Sequence, residues 1–67
     1  MGNSEMMVHD RRGQPLAPGY RVRVLRNPPL EGTVGRVVPR YNVLTVIVDG
    51  KPGKTERMVR AEEAELL

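Results

Sequence analysis

Five arginines, Arg21, Arg23, Arg26, Arg36 and Arg40, fall within residues 21–40 of this 67-residue chain. A guanidinium is flat, always charged and forked, so it matches phosphate and carboxylate oxygens better than an ammonium does. Tyr41 follows Arg40 directly, and an aromatic face there can stack on any nucleobase. Lys51 and Lys54 flank a Pro-Gly loop and read either as a further basic finger or as a solvated hairpin loop. The chemistry these types offer is recognition of an anion rather than bond making.

Other constellations point away from catalysis. With no cysteine in the chain, disulfides and thiolate metal sites are excluded. His9 is the one histidine and cannot assemble a zinc site alone. Gly32 and Gly35 lack the third glycine of a dinucleotide fingerprint and the Gly-Lys-Ser/Thr of a P-loop. Glu62, Glu63 and Glu65 read as a solvated tail, since a barrel this small has no room for a useful pocket. The expectation is a binding module with no catalytic residues, no cofactor and no metal.

Charge is unevenly distributed. Residues 11–60 hold all eleven basic groups against Glu31, Asp49 and Glu56, whereas Glu62, Glu63 and Glu65 crowd towards the end. A strongly basic body suits nucleic acid, or else an acidic protein partner. On the nucleic-acid reading the acidic cluster should sit away from the arginine face, since it would otherwise repel the ligand. No apolar run approaches the roughly 20 residues that span a bilayer. The first residues lack a basic, then apolar, secretory pattern, and Met6 stands where a myristoylation motif wants Ser or Thr. A cytoplasmic protein without membrane contact is expected.

The elements that must position these side chains are strands. Residues 1–7 show no periodicity and read as a flexible leader, with one domain over 8–67. Val8 begins a short strand, Asp10 to Gly13 is a turn, and Pro15 to Gly19 bends the chain with Leu16 as apolar anchor. Tyr20 to Leu25 alternates strictly, Val22 and Val24 on one face and Arg21 and Arg23 on the other. Asn27-Pro28-Pro29 breaks the ladder, because proline donates no hydrogen bond. Thr33 to Val38 resumes it around Gly35, a place for a bulge. After a turn at Pro39 to Asn42, Val43 to Val48 is the most apolar run and reads as the central strand. Asp49-Gly50 signals a hairpin returning through Thr55 to Val59. Ala61 to Glu65 favours one helical turn, and Leu66-Leu67 closes a core of Val, Leu, Ile and Met58. About five short strands between Gly/Pro turns predict an all-β fold, a small barrel.

Gly19-Tyr20-Arg21-Val22-Arg23-Val24, Glu31-Gly32-Thr33-Val34-Gly35-Arg36-Val37 and Val46-Ile47-Val48 together resemble a KOW-type SH3-like barrel. That resemblance covers residues 19–49 and implies contacts with RNA or the transcription machinery. Glu31 stands where a basic residue is common, and Pro28-Pro29 where a glycine is usual. A second resemblance runs through Val22 to Arg26, Gly32-Thr33-Val34 and Met58 to Leu66. These look like SH3-like accessory subunits of redox complexes, such as the variable subunit of ferredoxin–thioredoxin reductase or a small peripheral subunit of photosystem I. It implies a partner protein and no chemistry of its own. Both imply the same fold and differ on function.

Overall fold

A computed structural model describes residues 7–48, 50 and 55–67. Among them are seven strands: β1 (Val8–His9), β2 (Pro15–Leu16), β3 (Arg21–Val24), β4 (Leu30–Val38), β5 (Val43–Val48), β6 (Glu56–Arg60) and β7 (Ala64–Leu66). β1 and β2 form a small antiparallel pair, and the other five make an antiparallel sheet in the order β6-β5-β4-β3-β7. The fold is all-β, as the turn spacing predicts. The expected leader lies outside the described residues except for Met7, which is half-buried.

Why the sheet must curl follows from one connection. β6 and β7 occupy opposite edges, yet only the 3-10 turn Ala61–Glu63 joins them. In a flat sheet those edges would be four strand spacings apart, about 19 Å. Even a fully extended chain from Arg60 to Ala64 reaches only about 14 Å. The two edges are therefore drawn towards each other and the sheet bends into a barrel-like shape. Small residues fit where they meet: Ala61 and Ala64 are fully buried.

Alternation then sorts the side chains. Val22, Val24, Val34, Leu44, Val46 and Val59 point inward and are buried, joined by Val8 and Leu16 from the β1–β2 pair. Leu30, Val37 and Leu66 pack against this core. Gly32 is buried in β4, where a methyl group would run into the backbone of Ile47 and the side chain of Val46. Hence only glycine lets β4 lie this close to β5. The register shifts between Val34 and Arg36, so Gly35 sits at a bulge where the sequence places one.

Several details differ from the sequence reading. β4, the longest strand, lies at the middle of the order, while β5 is one place from the edge. β5 still carries a buried run, Leu44 to Val46, because it faces both neighbours. Pro15-Leu16 is a strand rather than only a bend, and Ala64–Leu66 pairs with β3 after a turn shorter than expected. Met58 is 63% exposed instead of joining the core; its place in β6 matches Thr45 on the outer side.

Two polar side chains knit the barrel. Asp10 is buried, and its Oδ1 accepts the N–H groups of Arg12 and Gln14, each at 2.8 Å. Its Oδ2 accepts the Leu66 N–H at 2.8 Å. Asn42 sits in the left-handed region at φ 54°, which asparagine tolerates better than most residues. Its Oδ1 accepts from His9 N at 3.3 Å and its carbonyl from Ala61 N at 2.9 Å.

Candidate nucleic-acid interface

On the outer face of the sheet the alternation that buries the valines lines up the charged residues. Register places Glu31, Arg23 and Glu65 in one row across β4, β3 and β7. Arg23 Nε donates to Glu31 Oε2 at 3.0 Å, and its Nη1 lies 3.7 Å from Glu65 Oε2. Arg12 reaches the other Glu65 oxygen at 3.2 Å, and Arg26 reaches Glu63 at 3.2 Å. Arg21 Nη1 donates to Thr33 Oγ1 at 3.2 Å.

This overturns the expectation that the acidic cluster sits away from the arginines. The physical reason is β7: because Ala64–Leu66 adds to β3, Glu65 falls directly opposite Arg23. The exposed pairs Arg23–Glu31 and Arg26–Glu63 add at most about 1 kcal/mol each to stability. Their main effect is local neutralisation, so the β3 side of the face is a charge mosaic rather than a basic patch.

The opposite end of the same face is different. Arg36 is exposed on β4, in register with Thr45 of β5 and Met58 of β6. The Thr45 hydroxyl accepts the Arg36 backbone N–H at 2.9 Å, which fixes the strand just after the bulge. Two residues on, β4 enters the 3-10 turn Pro39–Tyr41. This turn carries Arg40 and Tyr41, both exposed, with the Arg40 guanidinium 5.8 Å from the Tyr41 ring centroid. That distance is within cation–π range. Tyr41 is 69% exposed, which leaves ring surface for another partner. Arg60 of β6 lies opposite Val43, and Val43 opposite Val38.

Among the described residues no carboxylate pairs with Arg36, Arg40, Arg57 or Arg60. Glu56 is the nearest acid in register, one row away across Ile47, and its carboxylate leans over Gly35. Arg36 and Arg40 of this end, together with Tyr41, are among the candidates that the sequence offers. Arg60 is a further member, and the alternation Glu56, Met58, Arg60 marks all three as outward. Lys51 and Lys54 lie outside the described residues. No three metal-ligating side chains converge among the described residues, and no described helix is long and apolar enough to cross a membrane. No family model, curated protein or solved structure matches the chain.

Proposed function

We propose that this domain is a non-catalytic, cytoplasmic binding module that holds single-stranded nucleic acid on the outer face where β4, β5 and β6 meet the Pro39–Tyr41 turn. In this reading Arg36, Arg40 and Arg60 take backbone phosphates and Tyr41 stacks on a base. One observation carries it: these arginines have no carboxylate partner among the described residues, whereas Arg12, Arg23 and Arg26 do. Unpaired guanidinium groups beside an exposed aromatic ring are what a phosphate track with a stacking platform requires. The KOW-type, SH3-like resemblance of residues 19–49 supports the same assignment.

The test is titration of isotope-labelled protein with short single- and double-stranded oligonucleotides at low salt, read from backbone amides. Shifts should concentrate on residues 36–43 and 58–60 and be larger for single strands. Each of Arg36→Gln and Arg40→Gln should reduce the log-affinity versus log-salt slope by about 0.7. Silence of these amides at millimolar oligonucleotide would reject the nucleic-acid reading. An acidic protein segment is the second candidate, favoured by the half-buried Val38 and Val43 between the arginines. It predicts that the same amides respond to a Glu-rich peptide and not to oligonucleotides.

A further inference from the structure

β6 is an edge strand, and the hydrogen-bond pattern says which of its backbone groups face outward. Val48 N donates to Thr55 O, and Ala61 N donates to Asn42 O. In an antiparallel ladder the residues that exchange hydrogen bonds alternate with those that do not. Thr55, Arg57, Val59 and Ala61 therefore turn their backbone groups towards β5. Glu56, Met58 and Arg60 turn theirs the other way, and no described group bonds to them. An unpaired row of this kind is a template for another strand.

We propose that the strand it accepts is β6 of a second copy of this chain, antiparallel about a two-fold axis through Met58. A two-fold contact is self-complementary: if residue i meets j, then j meets i. In this register Met58 faces Met58, and Glu56 faces Arg60 on both sides of the axis. All three pairs involve residues whose N–H and C=O already point outward, so each exchanges hydrogen bonds in both directions. Sliding the strands two residues either way sets Met58 against a charge and leaves the opposite charges without their partners. The strongly exposed Met58 then gains a neighbour on an otherwise wet face. Glu56 leans inward over Gly35 in the single chain, so pairing turns this exposed side chain towards the edge.

The dimer extends the sheet and lays the two Met58-Thr45-Arg36 rows end to end, independently of whether that face binds nucleic acid. Edge pairing of five-residue strands buries much less than the roughly 1,200 Å² of a stable interface. The association is therefore weak, in the high micromolar to millimolar range. Like charges directly opposite on paired strands destabilise them, while opposite charges help.

Sedimentation equilibrium of the full chain up to millimolar concentration, with amide exchange measured across the same range, tests the proposal. A monomer–dimer equilibrium with concentration-dependent protection of the Glu56, Met58 and Arg60 amides is expected. Glu56→Arg and Arg60→Glu should each weaken dimerisation about tenfold or more, and the double swap should restore it. Met58→Arg, at an exposed position, should abolish the dimer and leave the low-concentration spectrum of the fold intact. A chain that stays monomeric throughout would overturn the proposal. So would a dimer whose β6 amides gain no protection, or a double swap no better than either single one.

Discussion

The Asp10 carboxylate accepts the backbone N–H of Leu66 at 2.8 Å, across a sequence separation of 56 residues. Its second oxygen closes the turn that joins β1 to β2. One buried side chain thus shapes its own loop and latches β7, the strand that brings Glu65 to Arg23.

That latch makes stability depend on acid. Burial by itself pushes the Asp10 pKa up, but the N–H groups of Leu66, Gln14 and Arg12, with the Arg12 charge, together hold it below its ordinary 3.8. A carboxylate with a depressed folded-state pKa contributes stability that is present above the unfolded value and lost as pH falls through the folded one. Unfolding midpoints should therefore drop below about pH 4. Asp10→Asn should cost about 1–3 kcal/mol at neutral pH, since its amide donor opposes the Leu66 N–H. The same variant should flatten the acid limb. Urea denaturation between pH 2 and pH 7 checks both.

Asn42 serves through backbone angle and side chain separately. Asn42→Gly keeps the left-handed geometry and loses the acceptor for His9 N; Asn42→Ala loses both. Alanine should be the more destabilising, by about 1 kcal/mol beyond glycine. Thermal melts of the two variants measure the difference, and equal midpoints would show that the angle is unstrained.

Tight packing at the β4–β5 contact leaves no room for additions or deletions. Gly32→Ala forces a methyl against the Ile47 carbonyl and should cost about 1–3 kcal/mol by overpacking. Val46→Ala removes a fully buried side chain and should cost a similar 1–3 kcal/mol through lost transfer energy and a cavity. Chemical denaturation should show lower midpoints for both.

The intramolecular ion pairs act as a mask over the β3 arginines. Glu31→Gln, Glu63→Gln and Glu65→Gln together should free Arg12, Arg23 and Arg26 to meet phosphate, because Arg23 pairs with both Glu31 and Glu65. Oligonucleotide binding should tighten at low salt, with the salt slope steepening by up to about 0.7 for each arginine recruited. An unchanged slope would confine the contact to the Arg36–Arg40 end.

Local chemistry was legible in the sequence; long-range pairing was not. Strict alternation placed Val22 and Val24 inside, Gly35 marked the bulge, and the Asp10-to-Gly13 turn forms with Gly13 at positive φ. Each of these depends on residues within a few positions of one another. β7 was missed because Ala64-Glu65-Leu66 has no strand propensity of its own; it is a strand only because β3 offers an edge and Asp10 a clasp. The mixed character of the arginine face follows from the same gap. Arg23 looks like a free cation until Glu65 is placed opposite it. Met58 suits the core by type, whereas its position in β6 faces outward by parity.

The short Ala61–Glu63 link has a kinetic meaning as well as a geometric one. Until residues 64–66 dock on β3, the hairpins of β3 to β6 make an open ribbon whose contacts are all between chain neighbours. Docking pairs residue 22 with residue 66, a long loop whose closure entropy must be met before any contact rewards it. The expected order is that the final strand joins last, after the hairpins of β3 to β6 have formed. Unfolding rates of Leu66→Ala and Asp10→Asn that rise while their folding rates stay unchanged would show it. Interactions absent at the barrier govern how fast a protein comes apart rather than how fast it forms. In that order the lifetime of the folded sheet is set by its last few residues and by the aspartate that holds them.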